Sequence, residues 1–449
     1  MLRSSQRNVL TNDGKDILSH DIAPAEGSFM HQLATRLFPI CRSITGDGVR
    51  QTLRILKEHL PELSFHEIPS GTRCFDWTIP DEWNIRDAFV LDPSGEKVID
   101  FAKCNLHVVG YSVPVDQDVT LDQLQKHLHS IPELPDAIPY IASVYNRTWG
   151  FCISHDQRLK LREGTYRAFI DSTLEPGNLT YADLVLPGAC QQEVLISTYV
   201  CHPSMANNEL SGPVVTMQLA KWLSELADRR YSYRFLFIPE TIGSIAYLSR
   251  HLEYLKEHVI AGFNVTCIGD DRAYSYLPSR AGNTLSDRVA KHVLKHRAPD
   301  YVNYTFLDRG GDERQYCAPG VDLPIASLMR SKYGTYPEYH TSKDDLTLVT
   351  PTGLQGGYEI LRDCVTALEV ERCYKATVLC EPQMGKRGLY PSLMLRSWER
   401  ASRMRMDILA YSDGEHSLLD IADLVGVPVA EIFTFVEELR KHDLVRPVR

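Results

Sequence analysis

The sequence predicts an α/β protein built on a mostly parallel, doubly wound sheet. Between residues 165 and 330, apolar runs of strand length alternate with stretches that have helical spacing. Near-continuous apolar strands alternating with helices are typical of a parallel sheet that is covered on both faces. The predicted strands are TYRAFID, YADLVLP, EVLISTYV, YRFLFIPE, AGFNVTCIG and PIASLMR. The predicted helices are PVVTMQLAKWLSEL, SIAYLSRHLEYLKEH and SDRVAKHVLKHRA.

A β-rich insert is predicted at residues 69–154, where short strand-like runs alternate with turns of Pro, Gly and Asp. The step Asp92-Pro93-Ser94-Gly95 is typical of a hairpin turn. Residues 1–68 and 155–390 are predicted to form the sheet domain. Because the segments before and after the insert belong to that one domain, we expect the ends of the insert to lie close together.

The last segment, residues 391–449, is predicted to be a small winged-helix domain. Three helical stretches, MRMDILAYS, SLLDIADLVG and PVAEIFTFVEELRKH, precede the strand-like LVRPV. The presumed recognition helix carries Glu431, Glu437 and Glu438, with Arg440 and Lys441 only at its end. A helix that enters the major groove needs basic and amide side chains. We therefore expect a packing or partner-binding domain and no nucleic-acid partner.

Composition and charge narrow the class of protein. The chain has 449 residues and a formal net charge of -10, which gives no general attraction for phosphate backbones or anionic lipid. The N-terminus lacks the apolar run of a signal peptide, and no stretch has the length of a membrane span. The 11 cysteines are scattered without a CxxC pair. We expect a cytoplasmic protein without a membrane partner, and the sequence leaves a homodimer open.

Polar residues follow the ends of the predicted sheet strands. His202 comes after EVLISTYV, Glu240 after YRFLFIP, Asp270 after AGFNVTCIG, and His340 after PIASLMR. Active sites of open α/β sheets lie at the carboxyl ends of strands, so these side chains are expected to converge. A single histidine is more often a structural hydrogen-bonding residue. The four residues together predict a site for zinc or a similar divalent ion.

Five segments resemble the co-catalytic zinc aminopeptidases, the clan of the bacterial leucyl aminopeptidases. The segments are CHPSMANNELSGP, PETIGSIAYL, GDDRAYSY, GGDERQY and EYHTSKDDL. The chain is still more similar to aminopeptidase-like proteins that have a β-rich insert and a C-terminal winged helix. The resemblance covers nearly the whole chain. It implies a zinc-peptidase type of sheet and a metal-dependent hydrolase that cleaves an amide bond next to a free amino group.

The resemblance also implies roles for single residues. It makes His202 and His340 metal ligands and Glu240 the general base. The ligand from the third strand is Asp270 or, as the alternative, Asp271. Ser211 falls at the start of the helix that follows the first ligand, where we expect it to be the N-cap.

Two positions depart from the pattern of the clan. The metal-bridging Asp is replaced by Asn208, with Glu209 beside it, and the second Glu is replaced by Thr241. Two zinc ions held close together need an anionic bridge to offset their repulsion, which a neutral amide supplies poorly. We therefore expect one zinc ion and not two, with Asn208 or Glu209 in place of the bridging ligand.

The implied mechanism uses a metal-activated water and a small peptide or aminoacyl-amide substrate. Glu240 takes the proton of that water and returns it to the leaving nitrogen. Asp344 is interpreted as a partner of His340 or as a solvated carboxylate. The residues expected to bind or line the substrate are Asp312, Glu313, Arg330 and Tyr339. For Asp312 and Glu313, a surface salt bridge is the alternative.

Other functions remain open at the level of the sequence. A one-metal acyl-transfer enzyme similar to the glutaminyl cyclases would use the same ligands, and a non-catalytic binding protein could retain the pocket. A thiol nucleophile at Cys201 is disfavoured, because a Cys and a His that are adjacent on a strand point to opposite faces. No phosphate-binding or dinucleotide-binding fingerprint is present.

Overall fold

The structure is a computed structural model and describes residues 25–389 and 396–448. The strands are β1 (Ser64–Pro69), β2 (Arg73–Cys74), β3 (Trp77–Thr78), β4 (Glu82–Leu91), β5 (Lys97–Asp100), β6 (Val115–Thr120), β7 (Leu128–His129), β8 (Phe151–Cys152), β9 (Thr165–Glu175), β10 (Asn178–Leu186), β11 (Glu193–Tyr199), β12 (Ser232–Ile238), β13 (Val259–Val265), β14 (Ser275–Leu277), β15 (Val302–Asn303), β16 (Ile325–Met329), β17 (Cys373–Ala376), β18 (Asp413–Ser417) and β19 (Val445–Pro447).

The helices are α1 (Ala25–Leu37), α2 (Asp47–Lys57), α3 (Leu121–Gln125), α4 (His155–Arg158), α5 (Ser211–Glu225), α6 (Ile242–His258), α7 (Leu285–Arg297), α8 (Glu313–Tyr316), α9 (Pro351–Val370), α10 (Arg396–Tyr411), α11 (Leu418–Val425) and α12 (Val429–Lys441). Among the helices of the described ranges, none is both long and apolar enough to cross a membrane.

The central sheet has eight strands in the order β1-β10-β12-β11-β13-β16-β14-β15. Its middle, β12-β11-β13-β16, is parallel, while β1, β10 and β14 each pair antiparallel with a neighbour. Residues of α1, α2, α5, α7 and α9 pack in one core with the sheet, and residues of α6 and α8 pack in a second. The predicted mostly parallel, doubly wound sheet is confirmed, because apolar strands such as β11 are buried between these two layers.

The insert lobe has its own antiparallel sheet, in the order β5-β4-β9-β6. The interpretation of TYRAFID as a strand of the central sheet was wrong, because β9 pairs with β4 and β6. Its buried and exposed residues alternate, as expected for a strand with one face in a core and one toward solvent. The lobe therefore extends past residue 154 to Glu175. Pro69 lies opposite Asn178, so the chain enters and leaves the lobe side by side.

The C-terminal unit combines α10, α11 and α12 with a three-stranded sheet in the order β18-β17-β19, which confirms the winged helix. The predicted boundary near residue 391 was placed too late, because β17 already belongs to this sheet; the boundary itself lies outside the described residues. Helix α12, the presumed recognition helix, contacts α9 of the sheet domain. This contact agrees with the expectation of a packing domain.

Helix α9 was not predicted, although it has clear start signals. Thr350 is its N-cap and accepts a hydrogen bond from the backbone N–H of Gly353, and Pro351 occupies its first turn. Gly353 and Gly357 face the loop after β13, and a Cβ at these positions would lie 2.1 Å from the Gly269 carbonyl oxygen and 2.4 Å from that of Ile268. Glycine lowers helix propensity, so the sequence did not predict this helix. The missing side chain nevertheless allows the close backbone contact with the loop after β13.

Replacing Gly353 by Ala tests this contact. The added methyl group overlaps the Gly269 carbonyl, so we expect the free energy of unfolding to fall by about 2 kcal/mol. Gly385→Ala is the control, because a Cβ there meets no atom within 4 Å. Denaturant unfolding of both variants measures the effect, and equal stability of G353A and the wild type would show that the contact is not tight.

Candidate metal centre

His202 and His340 meet at the carboxyl ends of the parallel strands. His202 follows β11, and His340 lies in the long loop after β16. Their ring centroids are 5.4 Å apart. Burial lowers the pKa of each imidazole to about 3, so both rings are neutral at neutral pH. Neutral imidazole is the form that binds a metal ion.

The orientation of His202 is fixed by the Glu209 carboxylate. Glu209 Oε2 lies 2.8 Å from His202 Nδ1, and its other oxygen accepts the backbone N–H of Cys201. Arg42 Nε donates to the backbone oxygen of His202 at 2.8 Å. Glu209 is therefore behind the ring, on the side of Nδ1. In this position Glu209 is better placed to orient a metal ligand than to act as the shifted bridging ligand that the sequence also allowed.

Glu240 lies on the opposite side of the same imidazole. Its Oε2 is 3.6 Å from His202 Nε2, and its Oε1 is 3.9 Å from Nη2 of Arg314. Burial, followed by the negative charge of Asp312, raises the pKa of Glu240 well above its usual value. A carboxylate with a raised pKa is a better proton acceptor than an ordinary glutamate, as a general base requires.

Asp312 holds the backbone that carries Glu240. Its Oδ1 accepts hydrogen bonds from the backbone N–H of Thr241 at 2.7 Å and from Ser244 Oγ at 2.9 Å. Thr241 has φ 62°, an unfavourable value for a threonine, so this bond stabilises a strained turn. Asp312 is fully buried, and burial raises its pKa to about 7. The alternative of a surface salt bridge at this residue is wrong.

The π-helical turn Ala206–Leu210 places Asn208 beside Tyr199, to whose hydroxyl its Nδ2 donates at 3.3 Å. Asp344 accepts the backbone N–H groups of Asn207 and Asn208, at 2.6 and 3.0 Å, as well as the hydroxyl of Tyr336. Asp344 thus holds this turn, and neither the proposed pairing with His340 nor a solvated position is found. The side-chain oxygen of Asn208 is buried without a hydrogen-bond partner among the described residues.

Ser211 does not cap helix α5. The helix continues directly from the turn Ala206–Leu210, and its N-cap position is Leu210. The Ser211 hydroxyl donates to the Asn207 carbonyl at 2.5 Å and accepts the backbone N–H of Ile268 at 2.9 Å. The serine therefore ties the turn to the loop after β13.

Asp270 already has four hydrogen-bond donors. Its Oδ1 accepts from Arg272 N and Ser331 Oγ, and its Oδ2 accepts from Asn207 Nδ2 and Ser331 N, all at 2.8 to 2.9 Å. A carboxylate has about four acceptor positions, so little capacity remains for a metal ion. Asp271, the alternative ligand, is exposed and accepts a hydrogen bond from Thr350 at the start of α9. The ligand role of Asp270 stays a prediction that this geometry does not favour.

Glu313 is a buried structural residue. It is fully buried, and its two oxygens share five donors, so it offers no free acceptor to a substrate amine. Its surface-salt-bridge alternative is likewise wrong. The donors are the backbone N–H groups of Gly310 and Gly311, the hydroxyls of Tyr333 and Ser327, and the amide of Asn264.

Arg330 and Tyr339 separate in the structure. The Arg330 guanidinium stacks on Tyr274, 3.7 Å from the ring centroid, and lies next to Gly356 of α9. Tyr339 stacks on the imidazole of His340, with centroids 3.9 Å apart. Tyr339 is therefore at the centre, whereas Arg330 packs against the helix layer.

Cys201 is nearer to His202 than the sequence argument allowed. Its Sγ lies 3.3 Å from His202 Nδ1, because both residues follow the end of β11 and strand alternation no longer applies. Burial, then the charges of Glu209 and Glu240, raise the pKa of the thiol well above its usual value. A raised pKa disfavours the thiolate, so Cys201 is a poor nucleophile.

Two tyrosines at the centre were not found from the sequence. Tyr140, from the insert lobe, has its ring edge-on to both histidines, at 5.1 Å from His202 and 5.3 Å from His340. Tyr199, at the end of β11, lies 6.0 Å from His202 and accepts the hydroxyl of Thr266 at 2.5 Å. No local pattern marks Tyr140, because its contacts join segments that are far apart in the chain.

Several donor atoms at the centre have no hydrogen-bond partner and are of types that bind divalent ions. His340 Nε2 is buried without a partner in the described part of the chain, and so is the side-chain oxygen of Asn208. His202 Nε2 and Glu240 Oε2 are 3.6 Å apart, beyond a hydrogen bond. Neutral imidazoles are common zinc ligands, and an amide oxygen suits a divalent ion as a weaker, neutral ligand.

Among the His, Cys, Asp and Glu side chains of the described residues, the group of three whose donor atoms lie within 4.8 Å of one another is Cys201, His202 and Glu209. An ion bound there would displace the bond from Glu209 to Nδ1 and would need a thiol whose pKa is raised. We therefore favour the Nε2 side of His202, where the nitrogen faces Glu240 and makes no hydrogen bond to the described residues.

Comparisons with known proteins agree with this architecture. A family model described as a domain of unknown function (DUF4910) matches residues 31–371, and a winged helix-turn-helix model matches residues 372–447. A protein of Clostridium acetobutylicum, named "Putative polysaccharide biosynthesis protein with aminopeptidase-like domain", is 44% identical over 94% of this chain and 97% of its own length.

Solved structures extend the likeness. A crystal structure of a "putative peptidase" from Clostridium acetobutylicum is 43% identical, with a TM-score of 0.89, over 95% of this chain and 97% of that chain. A zinc aminopeptidase from Bacillus subtilis has a TM-score of 0.56 at 11% identity, over 76% of this chain and 94% of that chain. The second likeness shows a shared fold. The chain therefore belongs to the DUF4910 family and has an aminopeptidase-like sheet domain followed by a winged helix.

Proposed function

We propose that this protein is a zinc-dependent hydrolase that cleaves an amide bond next to a free amino group, in a small peptide or an aminoacyl amide. The observation that carries the proposal is the pair of neutral imidazoles, with ring centroids 5.4 Å apart, beside which Glu240 Oε2 lies 3.6 Å from His202 Nε2 and His340 Nε2 is unpartnered among the described residues. His202 and His340 are the proposed ligands, and Asn208 is the proposed third. A cytoplasmic location is part of the proposal.

Each of these residues of the centre has a role in the proposed reaction. A zinc ion held there would lower the pKa of a water molecule and polarise the carbonyl group of the substrate. Glu240 accepts the proton of the attacking water and passes it to the nitrogen as the C–N bond breaks. Glu209 keeps His202 in the orientation that presents Nε2. Asp312 keeps Glu240 in place and adds negative charge that suits a substrate ammonium group.

The donor set also favours one ion. Asn208 is neutral, Thr241 donates its backbone N–H to Asp312, and the oxygens of Asp270 are occupied. Two zinc ions would therefore lack the anionic bridge that offsets their repulsion.

A one-metal site is also compatible with an acyl-transfer reaction. Product analysis separates the two reactions, because hydrolysis gives a free carboxylic acid whereas intramolecular transfer gives a cyclic product. The name of the Clostridium relative suggests an amide substrate from polysaccharide biosynthesis.

His202→Ala and His340→Ala test the ligands. Each substitution removes one imidazole, so we expect bound zinc to fall at least tenfold in the purified protein. His416→Ala is the control, because His416 is exposed in the winged helix and should leave the zinc content unchanged. Elemental analysis after dialysis measures the content. Full occupancy in either first variant would remove that residue from the ligand set.

Glu240→Gln tests the base. The amide keeps the shape of the side chain but does not accept the proton, so kcat should fall by about two to four powers of ten. Zinc content and melting temperature should stay at wild-type values if Glu240 is only a base. Loss of zinc in this variant would instead make Glu240 a ligand.

Asn208→Asp tests the number of ions. The substitution restores the anionic oxygen that the aminopeptidase clan has at this position, so we expect more than one zinc ion per chain if charge alone excludes the second ion. Asn208→Ser is the matched neutral control and should bind no additional zinc. An unchanged stoichiometry in N208D would show that Thr241 or the occupied oxygens of Asp270 also exclude it.

A further inference from the structure

Arg314, in the short helix α8, lies beside Glu240 and Thr241. Its Nη2 donates to the Thr241 hydroxyl at 2.8 Å, and its Nε donates to the Gly311 carbonyl at 3.0 Å. These two bonds hold the guanidinium between the turn that follows Glu240 and the loop that leads into α8. The same Nη2 is 3.9 Å from Oε1 of Glu240, which is beyond a hydrogen bond.

The guanidinium of Arg314 makes no hydrogen bond to a carboxylate of the described residues. Its two acceptors, a hydroxyl and a carbonyl, are neutral, and its Nη1 has no hydrogen-bond partner within the described ranges. A guanidinium has five N–H donors and forms strong, bidentate hydrogen bonds with carboxylate groups. Arg314 therefore retains both charge and donors for an anionic ligand.

The guanidinium is accessible together with the proposed base. The side chains of Arg314 and Glu240 are 39% and 20% exposed, whereas Asp312 is fully buried. A solute that reaches Glu240 therefore also comes near Arg314. Burial raises the pKa of the Tyr339 hydroxyl, and the charge of Arg314 lowers it. Because Tyr339 stacks on His340, the charge of the guanidinium acts at the centre.

The position of Arg314 indicates which part of a substrate it would contact. Oε2 of Glu240 is on the side of His202, 3.6 Å from Nε2, and Oε1 is on the side of Arg314. In the proposed reaction Glu240 passes its proton to the leaving nitrogen, so that nitrogen lies beside this carboxylate. A group one residue beyond the nitrogen lies about 3.3–3.6 Å further along an extended chain. This length is comparable to the 3.9 Å between Arg314 and Glu240.

We propose that Arg314 binds a carboxylate on the leaving amine of the substrate, so that the substrates of this site are dipeptides with a free carboxylate. This inference rests on the proposed function and makes Arg314 a residue that determines specificity. The carboxylate of a dipeptide accepts charge-assisted hydrogen bonds from the guanidinium. A longer peptide or an aminoacyl amide places a neutral group there and leaves the guanidinium without an anionic partner.

Arg314→Gln tests this specificity with two matched substrates, an aminoacyl-glycine and the aminoacyl-glycinamide of the same amino acid. They differ only in the charge of the end group. In the wild type, we expect kcat/KM to be at least tenfold higher for the acid, mainly through a lower KM. In R314Q the ratio of the two kcat/KM values should fall to about one, because the cation is lost. Since both substrates use the same base, an effect of the substitution on Glu240 cancels in this ratio.

Arg309→Gln is the matched control. Arg309 is exposed on the segment before α8, where its guanidinium donates to the Phe306 carbonyl and lies over the Phe306 ring. The substitution removes the same charge, and the ratio should stay within about twofold of the wild type, as expected for an exposed surface residue. An equal loss of the ratio in R309Q would overturn the proposal, because the general charge of this surface would then select the acid.

Equal kcat/KM for the acid and the amide in the wild type would also overturn the proposal, as would an unchanged ratio in R314Q. If the zinc-loaded wild type hydrolyses neither substrate with any common amino acid, the proposed function is wrong, and binding then decides the role of Arg314.

The probes for binding are two phosphinic analogues of leucyl-glycine, in which a tetrahedral phosphinate replaces the scissile amide. One analogue ends in a carboxylate and the other in a carboxamide. A Kd about tenfold lower for the carboxylate in the wild type, and equal Kd values in R314Q, would support Arg314 as the binding residue. Equal Kd values in the wild type, or no binding of either analogue, would reject it.

Discussion

The hydrogen bond between Glu209 and His202 determines which ring nitrogen of His202 is available at the centre. With Nδ1 held at 2.8 Å by a fully buried carboxylate, the imidazole presents Nε2 toward Glu240. The carboxylate is in turn held by the N–H of Cys201, so its position depends on the chain immediately after β11. Orientation of a ligand by a second carboxylate is a common requirement of metal sites. In the function that we propose, Glu209 therefore supports His202, and the Nε2 side of the ring is left for chemistry.

Buried carboxylates hold the loops around this centre in the same way. Asp344 fixes the turn with Asn207 and Asn208, Asp312 fixes the strained turn after Glu240, and Asp270 joins the loops after β13 and β16. Each accepts backbone N–H groups, which offsets the cost of burying a charged group. The loops that carry the proposed ligands are therefore rigid because their polar groups are paired. This pairing also removes several acidic residues from the set available to a metal ion.

The two added domains have different relations to the centre. The insert lobe supplies Tyr140 and a hydrogen bond to the His340 loop, so it is part of the site. The winged helix packs through α12 on α9, and α9 packs through its glycines against the loop of Asp270. An acidic recognition helix that is packed against another helix is poorly suited to enter a DNA groove. The structure thus shows the module packed on the helix layer through α12 and α9.

The sequence by itself determined the parallel sheet, the winged helix, and the strand-end positions of His202, Glu240 and His340. These follow from local patterns of apolar residues, and the carboxyl ends of parallel strands necessarily meet at one edge. Only the tertiary structure decided which polar atoms are free. Asp270 has its capacity filled by Asn207, Arg272 and Ser331, Asp344 binds the turn with Asn207, and Tyr140 reaches the histidines from the insert. Such pairings join residues that are far apart in the chain, and hydrogen-bond capacity is fixed only when those partners come together in the fold.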